Sequence, residues 1–146
     1  MIEEKESKDD SQRLQLLLFK IQSGQDALQS LTKQLVLVER SVAEIEDSMA
    51  AVEEIPKTKE EESLVPLGSG IFIKANLLEK SKFLVSIGAG IFLDKTTAET
   101  KTYLGKQKEE LEKNQELLTM RIRKIQGELA KTSREAEELY AKLQNK

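Results

Sequence analysis

Two stretches decide how this chain folds: LVPLGSGIFIKA at residues 64–75 and FLVSIGAGIFLDK at residues 83–95. Both prolines, Pro56 and Pro66, and four of the seven glycines, Gly68, Gly70, Gly88 and Gly90, fall between residues 55 and 95. Helix cannot pass through them. Hydrophobicity in this segment has a period of two: Ile71, Ile73, Ala75 and Leu77 alternate with Phe72, Lys74 and Asn76, and Phe83, Val85 and Ile87 alternate with Leu84 and Ser86. Strands are predicted near 63–67, 70–77, 82–88 and 91–94. Gly68-Ser69-Gly70 and Gly88-Ala89-Gly90 supply the turns of two hairpins, joined through Glu79 to Lys82. The charged run Glu53–Glu62 that precedes them, broken by Pro56, reads as a solvated linker.

Outward from this middle the period changes. On the N-terminal side an apolar residue recurs at alternating steps of three and four through Leu14, Leu17, Ile21, Gly24, Leu28, Leu31, Leu35, Val38, Val42, Ile45, Met49 and Val52, interrupted only at Gly24. That is the seam of a coiled coil. An amphipathic helix packed on a globular body would need a body, and the rest of the chain is too small to cover so long a seam. A second seam runs from Leu104 through Leu111, Leu118, Ile122, Ile125, Leu129, Ala136 and Leu139 to Leu143. Its early core positions are polar, with Lys101, Lys108 and Gln115, and Thr132 follows later. One short middle joining two seams of similar length folds most simply as an antiparallel hairpin of helices, with Val52 near Thr97 and Leu14 near Ala136. The expected fold is α+β and mostly α, a long antiparallel coiled-coil hairpin with two central β-hairpins. Its parts are a flexible N-terminus at 1–10, a first helix at 11–55, linker and hairpins at 56–95, and a second helix at 96–146.

Composition agrees. The chain has 34% charged and 4% aromatic residues and no Trp, the usage of long solvated helices rather than of a round core. With no His and no Cys there is no Ser-His or Cys-His nucleophile pair, no imidazole or thiolate metal ligand and no disulfide. No cofactor and no metal are expected. The longest apolar runs, Leu16–Phe19 and Leu35–Val38, fall far short of the roughly 20 residues that cross a bilayer, and no signal-peptide core follows the charged start. The expectation is a cytoplasmic protein with no membrane partner. A net charge of -3 with interspersed signs offers no basic stripe for nucleic acid. The glycine pairs belong to neither GxxxxGK[ST] nor GxGxxG, and strand turns explain them better. Glu109-Glu110 and Glu137-Glu138 are adjacent on helices and diverge by about 100°, so they are solvated faces and not acid/base dyads. No enzyme activity is expected.

Two features ask for partners. A few short strands expose unpaired edges and partly apolar faces, which other strands would cover. Near the N-terminus Leu16, Leu18 and Phe19 lie off the seam yet are apolar, and Tyr140 does the same on the second helix. Such residues either cover one another or form a contact surface.

The two quoted segments, at this spacing between two long helices, resemble the alpha class of prefoldin subunits of archaeal type, over nearly the whole chain. Two hairpins in place of one is what separates this class from the beta class. The resemblance implies an ATP-independent holdase chaperone, in which hairpins of two alpha-type and four beta-type subunits build a double β-barrel hub. Six coiled coils would carry hydrophobic tips that grip unfolded or nascent polypeptides and hand them to a group II chaperonin. Carried over, the hub residues are Leu64, Val65, Leu67, Ile71, Ile73, Val85, Ile87 and Ile91. The client surface comprises Leu14, Leu17, Leu18, Phe19, Leu139, Tyr140 and Leu143. The alternative is a structural adaptor or filament-forming scaffold whose coiled coil binds one fixed helical partner. The same strand edges would build a closed heterohexamer or an open homomeric filament.

Overall fold

The computed structural model describes residues 1–145. In chain order it contains helix α1 (Ile2–Glu54), a single 3-10 turn (Ile55–Lys57), strands β1 (Glu62–Gly68), β2 (Ile71–Asn76), β3 (Lys82–Gly88) and β4 (Ile91–Thr96), and helix α2 (Thr97–Gln144). Two compact units result, residues 1–39 with 113–146 and residues 40–112.

In the first unit the two helices meet along the expected seam. Leu14, Leu17, Ile21, Gly24, Leu28, Leu31, Leu35 and Val38 are buried or half-buried, as are Gln115, Leu118, Ile122, Ile125, Leu129, Thr132, Ala136, Leu139 and Leu143. Leu17, Leu118 and Ala136 are the most completely covered. The register is set at Gly24, where an added Cβ would lie 2.7 Å from Leu129 Cδ2. The missing side chain is therefore the socket for Leu129, a knob seated in a hole with no wall atom to spare. Counting along both seams from that contact pairs Leu17 with Ala136 and Leu14 with Leu139, one seam step from the expected Leu14–Ala136 layer. The ion pair between Lys142 Nζ and Asp10 Oδ2, at 3.0 Å, obeys the same register.

Helix α1 starts at Ile2 and not near Ser11. The seam simply continues in polar form through half-buried Asp10 and Ser7. The Asp10 salt bridge and a Ser11 hydroxyl bond to the Ser7 carbonyl belong to this added turn.

In the second unit the seam continues through Val42, Ile45, Met49 and Val52, of which Val52 is buried. Its polar core positions on α2 find carboxylates. Lys108 Nζ lies 3.0 Å from Glu46 Oε1 and 3.7 Å from Glu112 Oε1, and Lys101 Nζ lies 3.3 Å from Glu53 Oε1. Glu46 raises the pKa of the Lys108 ammonium by accepting its hydrogen bond and by its charge. Both pairs repeat after seven residues on each helix, so the polar stretch fixes register where apolar side chains would allow slippage.

The helix ends have local causes. α1 stops before Pro56, since the residue preceding proline is disfavoured in the α region, and the chain leaves through the 3-10 turn closed by Thr58 N–H to the Ile55 carbonyl at 3.2 Å. α2 begins under a side-chain cap: Glu99 N–H donates to Thr96 Oγ1 at 3.2 Å, the arrangement of a Thr-x-x-Glu start.

The four strands form two separate antiparallel ladders, β1 with β2 and β3 with β4, and not one open sheet. In each, a two-residue loop has positive φ at both positions, 53° at Ser69 and 78° at Gly70, 51° at Ala89 and 74° at Gly90. These signs mark the type I′ turn, whose twist matches that of the strands it joins. Each ladder also has a bulge one residue before the turn, between Pro66 and Gly68 and between Ser86 and Gly88.

The matching registers reveal an internal repeat. Val65 pairs with Ile73 and Val85 with Leu93; Leu64 pairs with Lys74 and Leu84 with Asp94. Shifted by twenty positions, residues 62–76 overlie 82–96 with identities at Leu64/Leu84, Val65/Val85, Gly68/Gly88, Gly70/Gly90, Ile71/Ile91 and Phe72/Phe92. One hairpin design is used twice.

Candidate functional site

The hairpins carry most of the exposed apolar side chains of the second unit. Leu64, Leu67, Ile71, Ile73, Ile87 and Ile91 are exposed as expected of an assembly surface, and Val65 is 43% exposed. Val85 is half-buried, on the same face as half-buried Phe83 and Lys95. Phe72, Leu78, Leu84, Phe92 and Leu93 join the surface although sequence reading passed over them. The signal was available. In each hairpin some of the residues between the alternating apolar positions, such as Phe72 and Leu84, are also apolar, so both faces of a two-stranded ladder are partly greasy and neither has a core to sit on.

Each hairpin is fastened within its unit by a different device. For β1–β2, Lys80 Nζ donates to the carbonyls of Thr58 at 3.1 Å and Glu60 at 2.9 Å, and Leu77 N–H donates to the Glu61 carbonyl at 2.9 Å. These bonds fold the 58–61 linker onto the connection between the hairpins. The neighbouring Glu79 carboxyl is held below its ordinary pKa by hydrogen bonds from Ser81. For β3–β4 the fastening comes from α2. Tyr103 donates its hydroxyl to the Ser86 carbonyl at 3.3 Å, accepts from Gln107 Nε2 at 2.9 Å, and has Lys95 Nζ 5.7 Å from its ring centroid.

The second candidate surface is in the first unit. Phe19 is 70% exposed, and Leu16, Leu18 and Tyr140 are exposed as well. The other residues assigned to the client surface lie elsewhere: Leu14, Leu139 and Leu143 are half-buried and Leu17 is buried, because all four are seam residues that face the opposite helix. In the closed coiled coil only Leu18, Phe19 and Tyr140 of that set are exposed. Beside them Phe19, Gly24, Ala27, Ile125, Leu129 and Thr132, with Lys20, Ser23 and Glu128, line an open cleft of about 550 Å³. Off-seam Val36, Leu37, Leu117 and Met120 are also exposed and were not foreseen.

Among the described residues no group of His, Cys, Asp and Glu could hold a metal ion, and no helix is long and apolar enough to cross a membrane. The chemistry on offer is apolar contact and strand pairing.

Comparison with known proteins gives one consistent result. The family model of prefoldin subunits matches residues 25–142. Three curated relatives all bear the name prefoldin subunit alpha. That of Pyrococcus horikoshii is 29% identical over 92% of this chain and 87% of its own length. That of Methanococcus vannielii is 26% identical over 80% and 79%. That of Thermofilum pendens is 29% identical over 57% of this chain, and the match spans 65% of the relative. The fold is similar to a chain in the cryo-EM structure of filamentous PFD from Methanocaldococcus jannaschii, with a TM-score of 0.67 and 18% identity over 77% of this chain and 93% of that one.

Proposed function

The chain belongs to the prefoldin family, a family of non-enzymatic chaperones, and from that premise we propose that it is an alpha-type subunit of a cytoplasmic, ATP-independent holdase. Its hairpins join those of other subunits, two alpha with four beta, in a shared hub. The apolar residues Leu16, Leu18, Phe19 and Tyr140 take hold of unfolded or nascent polypeptides, which the assembly passes to a group II chaperonin.

The observation that carries this reading is the division of exposed apolar surface between two jobs. In one unit it sits on strands with unpaired edges, the chemistry of permanent assembly. In the other it sits on a helical surface beside an open cleft whose lining mixes Phe19, Ile125 and Leu129 with Lys20, Ser23, Glu128 and Thr132, the chemistry of a partner without fixed sequence. Unfolded clients share no motif, so adaptable apolar contact must recognise them, and several weak grips on one hub gain avidity without any tight site. Buried Leu17 and half-buried Leu14, Leu139 and Leu143 would reach a client only on separation of the start of α1 from the end of α2, which in the closed coiled coil are joined by the Asp10–Lys142 ion pair.

The test is suppression of aggregation of a chemically denatured client by this chain assembled with a beta-type subunit, without nucleotide. Delay at stoichiometric amounts is the expected result, lost when Leu16, Leu18, Phe19 and Tyr140 are changed together to serine. Full protection by that variant would sink the proposed grip. No protection by the unaltered assembly would sink the holdase reading.

A further inference from the structure

Within the first unit the seam changes in quality at Gly24. Counting from the Gly24–Leu129 contact, the layers Leu28–Ile125, Leu31–Ile122 and Leu35–Leu118 each join two large apolar side chains. Toward the start of α1 the next layers are Ile21–Thr132, Leu17–Ala136, Leu14–Leu139 and Asp10–Leu143. All but Leu14–Leu139 set a large apolar residue against a small or polar one, so each buries less apolar area. Gly127 stands two residues before Leu129, the knob seated on Gly24, so both helices carry a glycine at nearly the same level. Glycine is the poorest helix former after proline. A Cβ at Gly127 would meet nothing within 4 Å, so packing does not demand glycine there. The open cleft against Gly24, Ala27, Ile125 and Leu129 lies at the same level. At the far end Asp10 occupies a seam position with its side chain 17% exposed, and Lys142 Nζ donates to its Oδ2 at 3.0 Å. A carboxylate so placed opposes closure unless a cation pairs with it.

We propose that the part of the coiled coil formed by residues 1–24 and 127–145 opens as one body about the level of Gly24 and Gly127, and that the Asp10–Lys142 pair is the latch that holds it shut. Opening uncovers Leu17 and Ala136 together with Leu14, Leu139 and Leu143. The inference rests on the holdase reading for the use of that seam, and it adds a control to it: the area offered to a client is set by the latch and the glycines. Fraying from the helix ends would stop at the first strong layer, Leu14–Leu139. Opening about the glycines passes that layer, because the Leu17–Ala136 and Ile21–Thr132 layers behind it are weak and the layers beyond Gly24 are strong.

The test uses the full chain and its lack of cysteine, which lets a single introduced thiol report exposure of a buried position. Ala136→Cys reports the distal seam, and Thr100→Cys, at a buried position of the second unit, is the reference. Rates of thiol labelling are measured without client. In the Ala136→Cys chain, Gly127→Ala is expected to slow labelling about five-fold. Asp10→Leu should slow it too, by placing an apolar residue against Leu143. Lys142→Met should quicken it about three-fold, since the half-buried carboxylate then loses its partner. Gly105→Ala, an equal gain in helix propensity within the second unit, should leave it unchanged. Equal slowing by Gly105→Ala, no slowing by Gly127→Ala or Asp10→Leu, or no quickening by Lys142→Met would each overturn the proposal. So would a Thr100→Cys rate that moves with Gly127→Ala, because the opening would then belong to the whole chain. Client protection is measured separately on the same variants assembled with a beta-type subunit, and Gly127→Ala should reduce it. Labelling in the expected order with protection absent throughout removes the holdase reading and leaves the hinge; labelling out of order with protection by the unaltered assembly removes the hinge alone.

Discussion

The two β-hairpins were built to one plan and then attached by two. Their turns agree within a few degrees in φ, at 53° and 51°, 78° and 74°, and 103° and 107°, and their pairings coincide after a shift of twenty residues. The first is held by a lysine that gathers main-chain carbonyls from the preceding linker, the second by a tyrosine that reaches from α2. The first also has Pro66 where the second has Ser86. A proline supplies no N–H to any neighbouring strand, so one edge position of the first hairpin is closed to pairing that remains possible in the second. The difference teaches that what is shared is the surface for assembly, while attachments and edges have diverged so that the two surfaces are not confused.

The strongest way to break this comparison is at the turns. Gly68 and Gly88 have φ of 103° and 107°, and a Cβ there would meet nothing within 4 Å, so the requirement for glycine is conformational and not a matter of space. Gly68→Val and Gly88→Val should each cost about 1–3 kcal/mol of local order, read as faster amide exchange in the affected hairpin and weaker assembly. The two losses should match. A loss in only one hairpin would show that the other draws its turn from somewhere outside the repeat.

The attachments come next, and here the hairpins should respond separately. Lys80→Met removes two charge-assisted bonds to the Thr58 and Glu60 carbonyls, in a solvated setting that reduces their worth to about 1 kcal/mol. Exchange should quicken across residues 58–77 and remain unchanged across 82–96. Tyr103→Phe removes a longer bond to Ser86 but keeps the ring beneath Lys95, so about 0.5 kcal/mol is expected, confined to 82–96. If either variant loosened both hairpins equally, the two fastenings would be one cooperative structure.

The sequence made some of this visible and hid the rest for physical reasons. Heptads and strand alternation are one-dimensional patterns, so the seam residues from Leu14 to Val52 are all covered and the four strands fall within two residues of expectation. Register between helices depends on which knob fits which hole. Read alone, Gly24 interrupts the seam; in three dimensions it seats Leu129 and fixes the layers. The start of α1 at Ile2 was hidden because Ser7 and Asp10 continue a seam without being apolar. Client residues were the least legible. Apolar character marked Leu17 and Leu18 alike, yet one faces α2 and the other faces water, a distinction that follows from the 100° between neighbours on a helix.

The finest test of the shared plan uses the one turn position where the hairpins differ in residue but not in conformation. Ser69 and Ala89 both lie in the left-handed region, which suits neither well, and an alanine there carries strain of roughly 1 kcal/mol that asparagine relieves by local hydrogen bonding. Asn-Gly is also the favoured pair for a type I′ turn. Ala89→Asn should therefore stabilise the second hairpin by about 0.5 kcal/mol, seen as amide exchange slowed roughly two-fold across 82–96. Ser69→Asn should gain less, because serine already offers a side-chain oxygen to the turn. Equal gains would mean that the Ser69 hydroxyl contributes nothing, and the two turns would then be alike in energy as well as in shape.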